Sequence, residues 1–349
     1  MERAVYRIID ANFNRGREAI RVIEDFCRFA LNSTSLTGRA KQLRHELSAA
    51  IDKLDAGRLI ASRDTPGDVG VGKTVDKQLQ RTDLQSSFTA GCKRLTEALR
   101  TLTEVTQTID SGVASTIEKL RYDAYTLEKD IILISEPAEK FKRVRLYVII
   151  TSSLPADVIS LTHKSAAGGA DCIQLRAKDT NDDRLFALAT EFVKICRAAN
   201  VLSVINDRAD IAVAAGADGV HLGQNDLPIE QARKLALAPL IIGKSTHSLK
   251  ELEATCKETP TYVSLGPVFP TPTKPNIEAV GLDYVTQGIE KLDRLGIGHV
   301  AIGGITPANV EKVLSAGAKC ISVCAAVTEA GDPTAACRAI KEKIAAFQD

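Results

Sequence analysis

The apolar and polar positions of the first 135 residues follow a helical period. Apolar side chains recur at helical spacing from Ile8 to Ala30, as expected for one buried face of a helix. The same pattern predicts further helices over about 36–55, 79–109 and 114–134, with a loop over 57–74. This segment is therefore predicted to be an all-helical N-terminal domain, residues 1–135, followed by a linker over 135–143.

A different pattern occupies residues 143–349. Short β-branched runs alternate eight times with Ala- and Leu-rich helical segments, which is typical of a parallel α/β fold. The predicted strands are Val144–Ile150, Cys172–Leu175, Leu202–Ile205, Gly219–Leu222, Leu240–Ile242, Tyr262–Leu265, His299–Ile302 and Cys320–Val323. Eight such units predict a (β/α)8 TIM barrel, whose functional side chains should follow the strands at the C-terminal face.

Composition and charge exclude several classes of protein. The 45 Lys and Arg nearly balance the 44 Asp and Glu, so the usual electrostatic argument for a nucleic-acid or membrane partner is missing. No apolar run reaches the roughly 18 residues of a membrane span, and the charged start lacks a signal-peptide core. Eight scattered Cys without a CxxC motif indicate reduced thiols. We therefore expect a cytoplasmic protein.

Polar side chains follow the second, third and fourth predicted strands. Alternation along the chain points Gln174, Arg176 and Lys178 to one side, where they suit an anionic ligand or are merely solvated. Asp207 and Asp226 follow neighbouring strands. Paired carboxylates favour Mg²⁺, although each Asp also precedes a helix and could serve as its N-cap.

The later strands extend the first anion site and provide a second one. Ser245 follows strand five and could bind phosphate or cap the next helix, and the Pro-rich loop after strand six is a candidate lid. Glycine amides after strands seven and eight commonly bind phosphate in such barrels. The loop after strand six brings Thr271, Pro272, Thr273 and Lys274 to the side of strands two to six, whose charges suit a pyrophosphate. Gly304, Cys324 and Ala325 belong to the side of strands seven and eight, whose neutral backbone suits a monophosphate. Two anion sites thus face one barrel mouth.

The helical half contains one phosphate-loop motif. GDVGVGKT (67–74) has Walker A spacing, but no buried strand precedes it. A loop that binds phosphate through glycine amides and Lys73, and a plain surface loop, both remain open.

Six motifs of the barrel half resemble the thiamine phosphate synthase family. They are QLRAKD (174–179), INDRADIA (205–212), GVHLGQNDLP (219–228), GKSTH (243–247), GPVFPTPTK (266–274) and IGGI (302–305). The resemblance implies Mg²⁺-assisted condensation of 4-amino-2-methyl-5-hydroxymethylpyrimidine diphosphate with a thiazole phosphate, or its carboxylated form. Pyrophosphate leaves by a dissociative route that needs no protein nucleophile.

The resemblance also implies a role for each matching residue. The pyrimidine diphosphate would be held by Gln174, Arg176, Lys178, Asn206, Ser245 and Lys274, with Asp207 and Asp226 on Mg²⁺. The thiazole phosphate would be held by Thr271, Pro272, Thr273, Gly304, Cys324 and Ala325. Catalytic roles fall to Lys274, Arg176, Lys178 and Ser245. The family usually has Ser where this chain has Ala325, which predicts weaker binding of the thiazole phosphate.

Two N-terminal segments resemble a helical domain fused to some members of this family. They are DANFNRGREAIRVIEDFCRFALN (10–32) and RDTPGDVG (63–70). That domain has been linked to phosphorylation of hydroxymethylpyrimidine phosphate, so ATP would be its partner and Arg63, Asp64, Asp68 and Lys73 its site. The alternative is a regulatory or dimerisation module of a homo-oligomer. For the barrel, the alternative is a non-catalytic or isomerase-type barrel that binds a thiazole phosphate.

Overall fold

The computed structural model describes residues 2–73, 80–178, 180–271 and 278–348. The chain divides into two compact units, Met1–Ile132 and Leu133–Asp349. Within the described ranges, none of the helices combines the length and the apolar character that crossing a membrane requires.

The N-terminal unit is helical in its described parts, as predicted. Its elements are α1 (Glu2–Asp25), a π-helical turn (Phe26–Ala30), α2 (Thr34–Ile51), α3 (Ala56–Ala61), α4 (Leu84–Thr106) and the start of α5 (Ser111–Phe141). Glycines allow α1 to approach its neighbours closely: a Cβ on Gly16 would lie 3.3 Å from Leu47, and one on Gly91 would lie 3.4 Å from Val22. The buried apolar side chains of this unit include Ile20, Phe88 and Leu99.

Two segments predicted as non-helical contain helix. Helix α3 overlaps the first residues of the predicted loop 57–74, and α5 continues through the predicted linker as far as Phe141, with Pro137 inside it. Proline removes a single backbone donor from the helix. Ile131, Ser135 and Phe141 are all buried on either side of it. The buried face therefore continues across Pro137, and packing outweighs the local cost of the proline.

The second unit is a closed parallel barrel of eight strands, as predicted. The strands are β1 (Leu146–Ile150), β2 (Cys172–Leu175), β3 (Leu202–Asn206), β4 (Gly219–Leu222), β5 (Ile241–Thr246), β6 (Tyr262–Leu265), β7 (Gly298–Ile302) and β8 (Ile321–Val323), and β8 pairs with β1. The helices around them are α6 (Pro155–Ala167), α7 (Asp182–Ala198), α8 (Ala209–Ala214), α9 (Ile229–Leu235), α10 (Leu249–Lys257), α11 (Gly281–Leu295), α12 (Val310–Ser315), α13 (Ala325–Thr328) and α14 (Pro333–Gln348).

The barrel interior is filled in layers taken from alternate strands, as in other TIM barrels. The upper two layers line a cavity and comprise Gln174, His221, Ser264 and Ser322 from the even strands and Ile149, Asn206, Ser245 and Ile302 from the odd strands. Below them lie Tyr147 and Tyr262, packed among apolar side chains and cysteines. Only glycine fits beside the Tyr262 ring, because a Cβ on Gly243 would lie 2.0 Å from Tyr262 Cζ.

Candidate functional site

A cavity of about 310 Å³ opens at the C-terminal ends of the strands, where the barrel fold places its functional groups. Ten of the residues singled out from the sequence line it. They are Gln174, Arg176, Lys178, Asn206, Asp207, Ser245, Thr271, Gly304, Cys324 and Ala325. Pro272, Thr273 and Lys274 lie outside the described residues.

The second strand carries the cationic side of the cavity. Gln174 is buried within β2, Arg176 is half-buried just after it, and Lys178 is exposed at the mouth. The backbone amide of Arg176 donates to Ile150 O at 2.9 Å, which extends the β1–β2 pairing past the end of the strand. The period of two in this extended segment therefore aims all three side chains into one cavity, where they can surround an anion.

Asp207 and Asp226 form an acidic pair beside these cations. Burial raises the pKa of Asp207 to about 6; a hydrogen bond to Asp226 and its charge add to the rise, while Lys178 and Arg176 oppose it. Asp226 Oδ2 accepts from Gly223 N at 2.6 Å. The two acids belong to consecutive strand ends, as the sequence indicates.

The helix-capping interpretation of these two acids is wrong. Helix α8 has Arg208 at its N-cap position and α9 has Pro228, and neither cap involves an Asp side chain. Asp207 itself has a φ of 63°, in the left-handed region that an L residue enters at a cost. Neither carboxylate therefore caps the helix that follows it.

The acid pair has the chemistry of a Mg²⁺ site completed by substrate. Mg²⁺ in phosphate-transfer sites is held by one or two carboxylates plus phosphate oxygens and water. Burial is the main cause of the raised pKa of Asp207, and the charge of Asp226 adds to it; a divalent cation would relieve that repulsion. Within the described ranges no group of three His, Cys, Asp or Glu side chains could hold a metal. The two acids therefore fit a cation that shares its coordination with a phosphate ligand.

Ser245 belongs to the cavity and not to a helix cap. Helix α10 begins after Ser248, whose Oγ accepts from Glu251 N at 3.2 Å. Ser245 Oγ instead lies 2.9 Å from His221 Nε2. Its neighbour Thr246 points away from the cavity and donates to Ser264 O at 3.0 Å.

Sequence reasoning missed several polar residues in or below the cavity. Tyr147, His221 and Tyr262 are hydrogen-bonded to one another and to predicted site residues. Ser322 lines the cavity, and its buried Oγ has no hydrogen-bond partner among the described residues. The only available signal was the strand period, which points these residues to the same side as their predicted neighbours.

Backbone glycines after β7, three strands from β2 around the closed barrel, form another part of the cavity wall. Gly303 and Gly304 both have positive φ, 103° and 66°. A Cβ on Gly303 would lie 2.4 Å from Pro267, and one on Gly304 would lie 2.7 Å from Phe269. The loop after β6 therefore packs directly against the glycine turn after β7. This wall is neutral, in contrast to the side of the cavity that carries Arg176.

The candidate residues of the N-terminal unit form an ion-pair cluster. Arg63 donates through Nε and Nη2 to the two carboxylate oxygens of Asp10, at 2.7 and 2.8 Å. Arg7 Nη2 donates to Asp64 O at 2.8 Å and lies 3.9 Å from Asp68 Oδ2. Asp10 and Arg7 were not singled out from the sequence, although Asp10 lies within a segment quoted for its resemblance.

The Walker A motif does not sit in a P-loop fold. Helix α3, rather than a strand, precedes it, and the described part of the N-terminal unit contains no strand. The amides of Gly67 and Gly70 are taken by Asp64 and Asp68, at 3.0 and 2.9 Å. Lys73 is exposed, and Thr74 lies outside the described residues.

Comparisons with known proteins agree on both units. The family model for thiamine monophosphate synthase matches residues 146–327, and the ThiD2 family model matches residues 7–130. The thiamine-phosphate synthase of Rhodopirellula baltica is 39% identical over 332 residues, which cover 93% of this chain and 88% of the relative. That of Nostoc punctiforme is 36% identical over 334 residues, covering 96% and 92%.

A solved structure resembles the barrel unit. The thiamine phosphate pyrophosphorylase of Pyrococcus furiosus superposes with a TM-score of 0.55 at 32% sequence identity. The match covers 61% of this chain and 99% of the other. The matched part is therefore about as long as the barrel unit.

Proposed function

This chain belongs to the thiamine monophosphate synthase family and is a transferase of thiamine biosynthesis, and from that premise we propose how its cavity divides between two substrates. The cationic side takes 4-amino-2-methyl-5-hydroxymethylpyrimidine diphosphate. The glycine wall takes the thiazole phosphate. One observation carries this division: Arg176 and Lys178 line the cavity together with Asp207, which interacts with them and with Asp226, while Gly303 and Gly304 contribute neutral backbone to its lining.

Asp207 and Asp226 would hold Mg²⁺ together with diphosphate oxygens. Bound there, the cation would supply charge neutralisation to the leaving group. Arg176 and Lys178 add positive charge at the same oxygens, and Lys274 is expected to join them from the loop after β6. Fixed charges aimed at the developing pyrophosphate stabilise the transition state because they need no reorganisation during the reaction.

The reaction then proceeds by dissociation. The bond between the pyrimidine methylene carbon and the diphosphate oxygen breaks, and pyrophosphate takes the electron pair. The aminopyrimidine ring delocalises the positive charge left on the carbon, and the thiazole nitrogen donates its lone pair to form the new C–N bond. The protein has to orient the two substrates and exclude water, so no protein nucleophile is needed.

Product analysis tests this proposal. We expect mass spectrometry of the full chain with both substrates and Mg²⁺ to detect thiamine phosphate and an equal amount of pyrophosphate. Lys274→Ala should lower kcat, whereas Lys234→Ala, which alters an exposed ion pair on α9, should not. Product formation without pyrophosphate, or an unchanged kcat in Lys274→Ala, would contradict the respective assignments.

For the N-terminal unit we propose ATP-dependent phosphorylation of hydroxymethylpyrimidine phosphate, which supplies the barrel with its diphosphate substrate. The match to the ThiD2 family supports it, as does the charged cluster of Arg7, Asp10, Arg63, Asp64 and Asp68. Arg63 presents its guanidinium in a fixed orientation, which suits phosphate recognition.

The kinase assay should use a full-length Asp207→Asn/Asp226→Asn variant, so that the diphosphate product accumulates. We expect ATP-dependent diphosphate in this background and its loss in Arg63→Lys. Arg100→Lys, at an exposed ion pair on α4, is the matched control. If no diphosphate forms, and Arg63→Lys instead changes the oligomer mass measured by light scattering, the module is one for assembly.

A further inference from the structure

A chain of buried hydrogen bonds crosses the barrel from Gln174 to Ser245. Gln174 Nε2 donates to Tyr147 Oη at 2.8 Å, and Tyr147 Oη lies 2.9 Å from Tyr262 Oη. Tyr262 Oη lies 2.9 Å from His221 Nδ1, and His221 Nε2 lies 2.9 Å from Ser245 Oγ. The chain joins strands β2, β1, β6, β4 and β5, and both of its ends line the cavity.

Burial keeps the two phenols protonated, so each has one hydrogen to donate. Tyr147 and Tyr262 are each 1% exposed. Burial raises the pKa of both phenols well above the ordinary value. A buried hydroxyl hydrogen without an acceptor is costly, so each of these hydrogens must be directed at a partner.

The direction of every bond follows from the amide of Gln174. Its Nε2 is a donor, so the hydrogen of Tyr147 cannot go there and must go to Tyr262 Oη. The hydrogen of Tyr262 then has His221 Nδ1 as its acceptor. A neutral imidazole that accepts at Nδ1 carries its proton on Nε2, and this proton is donated to Ser245 Oγ.

We propose that Tyr147, Tyr262 and His221 are positioning residues that hold the Ser245 hydroxyl as a hydrogen-bond donor to the cavity. Ser245 Oγ receives the His221 proton, and its own hydrogen has no acceptor among the described protein groups, so it is directed to the ligand. What it donates to rests on the proposed function, in which the ligand is a diphosphate ester with anionic oxygens.

The opposite direction of the hydrogen bond between Ser245 and His221 would not suit an anionic ligand. If Ser245 donated to His221, its lone pairs would face the cavity and repel an anion. The surrounding residues fix the Tyr262 ring in place. Gly243 leaves space beside the ring, and Phe141 stacks on it with ring centroids 4.2 Å apart. The tyrosine is thereby held where its hydroxyl reaches both Tyr147 and His221.

The tautomer of His221 is measurable without any substrate. We would record two-bond ¹H–¹⁵N spectra of the full chain labelled at histidine, at a pH above the ordinary imidazole pKa of about 6.5. A His221→Gln variant assigns the signals. We expect an unprotonated Nδ1 and a protonated Nε2. A protonated Nδ1 would overturn the proposal, whatever the enzyme's activity.

Removal of one phenol hydroxyl tests whether the hydrogen-bond chain sets the His221 tautomer. In Tyr262→Phe the hydrogen donated to Nδ1 is lost, so we expect the His221 nitrogen shifts to move towards a mixture of tautomers. Tyr284→Phe is the matched control, because its buried hydroxyl donates to Thr246 Oγ1 at 2.7 Å, outside the chain. If Tyr262→Phe fails to fold, the tautomer of His221 in the wild-type protein remains the deciding measurement. Unchanged His221 signals in folded Tyr262→Phe would contradict the proposal.

Kinetics separate positioning from a structural role. We expect Tyr262→Phe to raise KM for the pyrimidine diphosphate roughly 3- to 10-fold, the effect of one weakened hydrogen bond, with a smaller change in kcat. In a Ser245→Ala background the same substitution should have little further effect on KM. An equal increase in both backgrounds would indicate a structural role. If no thiamine phosphate forms while His221 has the expected tautomer, the proposed function fails and the hydrogen-bond chain stands.

Discussion

Lys244 donates to both carboxylate oxygens of Glu258, at 2.9 and 3.1 Å, on the outer face of the barrel wall. Its neighbours Gly243 and Ser245 point inwards, so alternation along β5 turns Lys244 outwards. The Lys244 side chain is 6% exposed, whereas that of Glu258 is 32% exposed. The two partners therefore depend on this ion pair to different extents.

Substitution of Glu258 should cost more stability than substitution of Lys244. Glu258→Gln leaves a buried ammonium without a countercharge, and we expect a loss of about 3 kcal/mol. Lys244→Met leaves a carboxylate that water still reaches, and we expect a loss of about 1 kcal/mol. Urea denaturation measures both. As the control, Lys234→Met at an exposed ion pair should change the free energy of unfolding by less than about 0.5 kcal/mol. Equal losses of stability in Lys244→Met and Glu258→Gln would contradict the expected difference between the two partners.

His299 should make the barrel unit sensitive to acid. Burial lowers the pKa of His299 from 6.5 to about 4, and its Nε2 accepts from Lys319 N at 2.9 Å. Between these pH values the unfolded chain binds a proton that the folded chain does not, so stability falls as the pH drops from about 6.5 towards 4. The loss is at most about 3 kcal/mol.

Urea denaturation at pH 7.5 and pH 5 checks this dependence. We expect His299→Gln to lose stability at pH 7.5 but to show a smaller decrease between the two pH values than the wild type. His163→Gln removes an exposed imidazole and should leave the pH dependence unchanged. If the stability of His299→Gln decreased between pH 7.5 and pH 5 as much as that of the wild type, another group would be the cause of the acid sensitivity.

The sequence predicts the barrel well because its pattern repeats eight times. The predicted bounds of β2, β4 and β6 coincide with those of the structure, since polar residues or turns flank short apolar runs there. For β5 the prediction ended at Ile242, four residues early, because Lys244 and Ser245 resemble the polar end of a strand. A buried ion pair and an inward hydroxyl explain why they belong to it.

The site is predictable only where it follows the strands in sequence. Gln174, Arg176 and Asp207 could be named because strand ends meet at one face. Tyr147 and Tyr262 are 115 residues apart and have the appearance of ordinary core residues. Only closure of the barrel brings them together, so no local pattern indicates their hydrogen bond.

Alanine at position 243 should disrupt the barrel interior. The added Cβ would lie 2.0 Å from Tyr262 Cζ in a fully buried environment, so the ring or the strand must move. We expect a destabilisation of about 3 kcal/mol by thermal or urea denaturation, at the upper end of overpacking effects. Gly38→Ala is the control and should have the opposite effect. Nothing lies within 4 Å of the Cβ position of Gly38 in α2, so we expect the free energy of unfolding to rise by about 0.5–1 kcal/mol.

Mg²⁺ binding should weaken in mild acid. The pKa of Asp207 is raised to about 6, and a carboxylate must lose its proton to bind a metal. We therefore expect calorimetry in the presence of pyrophosphate to show lower Mg²⁺ affinity at pH 5 than at pH 7.5, with proton release on binding near pH 6. Asp226→Asn removes the like charge and should reduce the proton release. Proton release equal to the wild type in that variant would contradict the coupling of the two acids.

Serine at position 325 should improve binding of the thiazole phosphate. Ala325 lines the cavity at the start of α13, after the Cys324 cap position. A hydroxyl there would add one donor to the backbone amides, and one hydrogen bond contributes about 0.5–1.5 kcal/mol. We expect Ala325→Ser to lower KM for the thiazole phosphate roughly 2- to 10-fold, with KM for the pyrimidine diphosphate unchanged. Steady-state kinetics with each substrate varied in turn measures this. Ala326→Ser, one residue further along the same short helix, is the positional control, and an equal effect there would show that any added hydroxyl in this loop suffices.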